Sequence, residues 1–300
     1  MSKRARFGDQ TPAALLLASP GVLGLILFIL VPFLMALVLA FTNLRLGSPL
    51  PLEFVGFKQF LRIFTNPGFL RALANNLLFA VVVVPLQTIL ALSLAILLNQ
   101  RLGGTVIFRT LFFMPVVFPM SLVAVVWILI YAPGPDGMMN AFLDLVTFGS
   151  WQARDFLRDP VLALPAIMLL SIWQGAGFQM VILLAGLQGI SHELYEAAAL
   201  DGAGRWQQFW NVTLPQLRNP LIFVMLITTI LAFRLFDQVQ IMTRGGPDNA
   251  TTTVMYETVQ AVFTRQQVAR ASAMTVIFFL VVLGVTWLQR RLVRQEREVA

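Results

Sequence analysis

Two charged side chains stand inside an otherwise uncharged run of this 300-residue chain: Arg234 and Asp237, between Leu221 and Thr243. An ionisable group in such a run is a functional candidate, because charge in hydrocarbon is costly unless it is paired or meets a solute. Helical spacing puts both on one face. There they either pair with each other and hold a bundle together, or they face a solute. Upstream, Trp173, Gln174, Gly175, Phe178 and Gln179 gather rings, amides and glycine within another apolar run, and Trp173 to Gly177 reads as an interruption of its helix. Broken helices near the membrane midplane are where transporters place ligands. Rings and amides suit a neutral sugar, which has apolar ring faces and many hydroxyls. This is binding chemistry. Catalysis is poorly provided for, with no Cys, a single His (His192) and no paired carboxylates in the apolar runs. The two lysines, Lys3 and Lys58, lie outside any G-x-x-x-x-G-K-[ST] loop. The chain therefore cannot bind ATP in the usual way, and energy must come from a partner or an ion gradient.

The composition says what must position these residues. The chain is 58% hydrophobic and 12% charged, with mean hydropathy +0.80. Soluble domains carry roughly one quarter charged residues. The charges cluster between long apolar runs, as in a membrane protein. The net charge of +7 follows from basic residues flanking membrane helices and does not call for nucleic acid.

Six spans are predicted, over residues 13–41, 77–98, 111–131, 161–190, 221–243 and 271–289, within an all-α membrane domain of residues 13–293. The first is too long for a signal-peptide core and is read as an uncleaved helix. Asn75 or Asn76 caps the second. Phe57, Phe60, Leu61 and Phe64 predict a short helix on the membrane surface or against the bundle, and 132–159 is a loop. Six spans put the tails, 1–12 and 290–300, on one side. Lys and Arg totals on the two sides are nearly equal, but the short flanking segments are denser on the side of the tails. That places both termini in the cytoplasm, and residues 191–219 with them.

Within 191–219, Ser191 is an N-cap with Glu193 in the first turn. Asp201 to Gly204 breaks the helix, Arg205 to Leu214 resumes it, and Pro215 ends or bends it. His192 is a loop residue beside Glu193. Trp206, Phe209, Trp210 and Thr213 fall at i, i+3, i+4, i+7 and form an aromatic face. That face either packs on the protein's own spans or meets a partner.

Glu196-Ala197-Ala198, then Gly202, Val212 and Leu214-Pro215, follow a fixed spacing. The pattern resembles the EAA loop of binding-protein-dependent ABC transporter permeases. Thr243-Arg244-Gly245-Gly246-Pro247 with Ala250-Thr251-Thr252 resembles the sugar branch of that family, of the maltose and glycerol-phosphate type. The resemblance implies a type I importer permease in the bacterial inner membrane. Its partners would be a second homologous permease, two ATPase subunits, an extracytoplasmic binding protein and membrane lipid. ATP and Mg would sit on the ATPases, leaving no cofactor in this chain. Glu196 would latch into the ATPase cleft and Gly202 would permit the turn. Ala197, Ala198, Arg205, Trp206, Phe209, Trp210, Leu214 and Pro215 would complete the joint. The family's midplane site falls here on Gly175, Phe178, Thr228, Ala232 and Leu235. Ala232 and Leu235 cannot hydrogen-bond through their side chains, so polar contacts would come mainly from the second permease.

A standalone secondary transporter or channel is the competing class. It would need coupling-ion carboxylates in its spans, where Asp237 stands alone, and it has no use for the EAA spacing. On the coupling reading, Gly202→Asp is expected to abolish transport and loosen ATPase binding. Normal uptake by a fully assembled complex would remove the coupling assignment.

Overall fold

Backbone N–H and C=O groups that leave water must be paired within the protein, so apolar runs of this length fold as helices. The computed structural model describes residues 11–100 and 103–294. Residues 1–10 of the expected N-terminal tail, residues 101–102 of the basic turn, and 295–300 of the C-terminal tail lie outside the described residues. Apart from one isolated bridge between Thr42 and Phe54, the regular structure described is helical.

The helices are α1 (Thr11–Leu25), α2 (Val31–Leu39), α3 (Lys58–Phe64), α4 (Pro67–Leu98), α5 (Thr105–Val117), α6 (Met120–Ile130) and α7 (Met138–Val146). They continue with α8 (Ala163–Gln188), α9 (His192–Leu200), α10 (Arg205–Gln208), α11 (Leu214–Gln216), α12 (Arg218–Phe233), α13 (Val254–Val259) and α14 (Val268–Arg294). Four stretches are long and apolar enough to cross a bilayer: Leu16–Leu39, Pro67–Leu98, Ala163–Gln188 and Val268–Arg291. Two bent pairs raise that to six if each counts as one span. α5 and α6 meet at 101°, and Arg205–Gln216 meets Arg218–Phe233 at 65°.

The described residues form two units. The first joins those up to Thr65 with Thr258–Phe279. Here Leu46 N donates to Gln266 O and Ala269 N to Leu44 O, and Phe33 packs on Phe279 with ring centres 5.0 Å apart. The helix expected from Phe57 to Phe64 is α3, but its apolar stripe points outward. Gln59 and Ile63 are its buried residues, with Gln59 Nε2 donating to Thr42 O at 3.1 Å. Hydrocarbon is as apolar as a core, so a membrane-adjacent side chain gains nothing by turning inward.

The second unit joins Asn66–Glu257 with the residues from Leu280 on. α4, α8 and α12 pack around Ala91, Ala95, Met180, Leu183, Leu217 and Val224. Small residues set the approach: a Cβ on Gly186 would lie 2.9 Å from Leu217 and Pro220 carbons. Such contacts hold membrane helices together where burial from water cannot.

Several helix ends differ from the sequence reading: α5 begins at Thr105 and not at 111, α14 runs past 289 to Arg294 into the expected tail, and three further differences bear on the site. α4 begins at Pro67, not near residue 77, capped by Asn66, whose Oδ1 accepts from Phe69 N at 2.9 Å. Asn75 and Asn76 are therefore not caps. The run 111–131 is not one straight helix, because Pro119 forces Phe118 into extended backbone (ψ 139°). The run 221–243 stops as a helix at Phe233. A π-helical turn, Val239–Thr243, follows after an irregular stretch. Several of the freed groups are met by distant partners. Asn76 Nδ2 donates to Phe233 O, Asn76 Oδ1 accepts from Val254 N at 2.8 Å, and Thr253 Oγ1 donates to Leu235 O at 2.8 Å. Asn75 Nδ2 reaches Thr252 O. Thr251, Thr252 and Thr253 are fully buried by these contacts. The region 132–159 is also more than a loop. It holds α7, anchored by buried Asn140, whose Oδ1 accepts from Trp151 Nε1 and Arg154 N.

Asn76→Leu removes the asparagine's bonds to Phe233 O and Val254 N–H, at about 0.5–1.5 kcal/mol net for each bond lost. The purified variant is expected to unfold at a lower temperature in detergent and to be cut faster by protease between residues 244 and 253. An unchanged melting temperature and cleavage rate would show that the asparagine clamp carries no stability.

Candidate functional site

α4, α8 and the end of α12 enclose a cleft of about 300 Å³. α8 contributes Gln174 and Gly175 and α12 contributes Thr228 and Ala232; Arg234, Leu235 and Asp237 complete the expected residues found there. Seven of the ten residues expected along a substrate pathway thus meet in one place. Trp173, Phe178 and Gln179 do not line it. Trp173 packs on Trp127 at 5.6 Å, within an aromatic group that includes Tyr131. Phe178 is 38% exposed. Gln179 is buried and donates from Nε2 to Thr228 Oγ1, tying α8 to α12.

α8 is not interrupted at Trp173 to Gly177; it is one helix from Ala163 to Gln188. Its glycines serve close approach. A Cβ on Gly175 would lie 2.2 Å from Gln87 Nε2, and one on Gly177 would lie 2.1 Å from the Phe112 carbonyl oxygen. Glycine costs a helix only about 1 kcal/mol, which packing on both sides offsets.

Arg234 and Asp237 do not share a helical face, because α12 ends between them and Arg234 is its C-cap. No ion pair joins them among the described residues. Both are exposed and both line the cleft. The cleft therefore offers a guanidinium with five donors and a carboxylate acceptor, flanked by the amides of Gln87, Gln174 and Gln238. Gln174 donates to Phe118 O at 3.2 Å, and Gln238 donates to Ser171 Oγ at 3.3 Å. The sequence reading did not include Gln87 and Ser171. Gln87 carried a signal, being an amide within a run of apolar residues. No cluster of three or more His, Asp or Glu side chains suited to a metal occurs among the described residues.

The same two helices, α8 and α12, are joined by the segment 191–216. Ser191 Oγ accepts from Glu193 N and caps α9. His192 is the first residue of α9, not a loop residue, and its Nδ1 lies 3.0 Å from Glu196 Oε1. Glu196 keeps 66% of its side chain exposed. Ala203 N donates to Ala198 O and Gly202 N to Ala199 O, which is the Schellman closure of a helix on a left-handed residue. Gly202 has φ +82° and open space around its missing Cβ. Conformation, and not room, demands glycine there. Aspartate is among the residues that tolerate this region best, so a lesion from Gly202→Asp would lie chiefly on whatever the turn touches. Gln207 Oε1 accepts from Gly204 N at 2.8 Å, and Tyr195 OH lies 3.0 Å from Thr213 Oγ1. These bonds set the second half of the hairpin against the first.

The aromatic face is split. Trp206, Phe209 and Trp210 form one ring cluster with centres 5.3–5.9 Å apart. Trp206 is 71% exposed and Trp210 49%, whereas Phe209 is half-buried and Thr213 buried. Residues 209–213 form a π-helical turn, whose wider winding shifts the phase that a 3.6-residue period predicts. Pro215 sits early in α11, where its missing N–H costs little. The change of direction comes after Gln216. Ala197, Arg205 and Pro215 are exposed, and Ala198 and Leu214 half-buried.

Residues 64–298 match the family described as binding-protein-dependent transport system inner membrane component. The diacetylchitobiose uptake system permease protein NgcF of Streptomyces coelicolor is 34% identical over 269 residues, covering 86% of this chain and 75% of that protein. The trehalose/maltose transport system permease protein MalF of Thermococcus litoralis is 33% identical over 245 residues, covering 82% and 81%. Among solved structures, a bacterial ABC transporter involved in the import of the acidic polysaccharide alginate has a chain with TM-score 0.80 and 22% identity. That likeness covers 96% of this chain and 98% of the other.

The two glycines of α8 separate site from scaffold. Gly175→Ala meets only the movable amide of Gln87, so it is expected to preserve the fold while displacing that amide into the cleft. Gly177→Ala meets backbone and is expected to separate α5 from α8 and lower thermal stability by about 1–3 kcal/mol. Melting curves of both purified variants check this, and equal stability losses would contradict it.

Proposed function

This chain belongs to the binding-protein-dependent transport system inner membrane components, and we propose that it is one permease subunit of a bacterial importer that moves a carbohydrate across the inner membrane. A single observation carries the reading. Two of the three helices that enclose the polar cleft, α8 and α12, are the two that the exposed hairpin joins, so one packed body links a ligand-sized space to a docking surface. The cargo is an oligo- or monosaccharide, a polyol or a glycerol phosphate. The donors and acceptors of Arg234, Asp237 and the glutamines suit such hydroxyl-rich solutes.

In this reading an extracytoplasmic binding protein delivers the cargo, and a second, similar permease completes the pathway. Two ATPase subunits hydrolyse ATP with its Mg. Their clefts receive Trp206 and Trp210, with Glu196 at the polar edge of the joint. Both termini and the hairpin lie in the cytoplasm. The membrane half is divided at the level of the cleft, and ATPase closure rocks α8 and α12 together.

The chain, affinity-purified from its native membranes in mild detergent, is expected to bring ATPase subunits with it and to support ATP-dependent sugar uptake in liposomes. Trp206→Ala with Trp210→Ala is expected to release the ATPase and cut uptake at least tenfold, while the melting temperature of the chain itself holds. Uptake by the isolated chain on an ion gradient, without ATP, would point instead to a standalone transporter.

A further inference from the structure

The end of α14 carries an arrangement that the transport reading does not use. Gln289 donates from Nε2 to Thr229 Oγ1 at 2.8 Å, which fixes the side of this helix that faces α12. At 100° per residue, positions 287 and 291 each lie about 200° from position 289. They are therefore on the far side. Leu280, Leu283 and Trp287 are more than half exposed along that side. Arg290 and Arg291 follow, both exposed, and neither has a carboxylate within ion-pair distance among the described residues. Arg291 Cζ lies 5.2 Å from the centre of the Trp287 ring. The cation–π contact seats the guanidinium on the indole, and its N–H donors are committed to no acid among the described residues.

Along the helix, then, the exposed stripe is aliphatic, next aromatic, next doubly cationic. That order matches the acyl chains, the interfacial layer and the phosphate of a lipid. Indole prefers the interface, and arginine buries its stem while its head reaches polar surroundings. Setting the orientation of a span requires only positive charge. It does not require an arginine held over an indole. An anionic occupant fits, because two adjacent guanidinium groups with no carboxylate at ion-pair distance among the described residues repel less when a negative charge lies beside them. It has to carry hydrocarbon, because the stripe continues into exposed leucines that no described residue covers.

We propose that Trp287, Arg290 and Arg291 form a headgroup site for an anionic phospholipid, whose acyl chains lie along Leu280 and Leu283. The site is independent of the cleft and of the cargo.

The test uses the full chain in its assembled transporter, exchanged into equimolar phosphatidylglycerol and phosphatidylcholine and examined by native mass spectrometry. Wild type is expected to retain phosphatidylglycerol over phosphatidylcholine. Arg290→Gln and Arg291→Gln should each reduce that preference about fivefold, as expected for one basic residue at a membrane surface. Arg62→Gln, on another helix, should leave it unchanged. Trp287→Leu keeps apolar area but removes the ring, and should weaken the preference without abolishing it. The charge-preserving pair Arg290→Lys with Arg291→Lys should keep most of it, and this pair with Trp287→Leu decides the matter if the glutamine variants do not assemble. Equal retention of the two lipids by wild type would overturn the proposal. So would a preference that survives both glutamine substitutions, or loss of the lipid to millimolar inorganic phosphate alone.

Discussion

A peptide group taken out of water has to find a partner. A helix meets that requirement along its length and fails it at its ends. α12 ends inside the packed unit, at Phe233, and the rest of the structure depends on how that end is satisfied. Asn76 of α4 accepts Val254 N–H and donates to Phe233 O, and Thr253 donates to Leu235 O. Because these partners exist, the chain can leave helical geometry at Arg234. Leaving it there places Arg234 and Asp237 along a shared cleft with no ion pair between them. Had the helix run on to Thr243, the two would have stood one turn apart, close enough to neutralise each other.

The second dependence is mechanical. α8 and α12 meet through buried contacts that include Gly186, Leu217 and Val224, and through the bond from Gln179 to Thr228. Close-packed interiors yield little to compression. Under the proposed function, a displacement applied to the 191–216 hairpin would pass into both helices together and reach the cleft beside them. Tyr195 bonded to Thr213, and Gln207 bonded to the Gly204 amide, brace the two halves of the hairpin against each other.

Much of this was legible in the residues. The EAA spacing, the Ser191 cap and the turn at Gly202 are local features, and local backbone chemistry settles them. Gln174, Arg234 and Asp237 declared themselves as polar groups in apolar runs, and Thr228 came from the family resemblance. Other features misled for an identifiable reason. Gly175 and Gly177 have the composition of a helix break, yet they lie in a continuous helix, because what they accommodate is the Gln87 side chain and the Phe112 carbonyl. Asn75 and Asn76 have the composition of a cap, yet their partners are more than 150 residues away. Sequence spacing carries no record of such partners.

The sequence by itself determined that this is a helical membrane chain, and that residues 191–216 form a polar hairpin with the EAA spacing. Those follow from apolar run length and from residue types whose effects act within one turn of the chain. Only the tertiary structure decided where the spans bend and that the exposed rings are Trp206 and Trp210 and not Phe209. It also decided that Arg234 and Asp237 face a common space unpaired. Each of these turns on contacts between distant segments, whose long-range pairing decides which helix ends can be satisfied inside the protein.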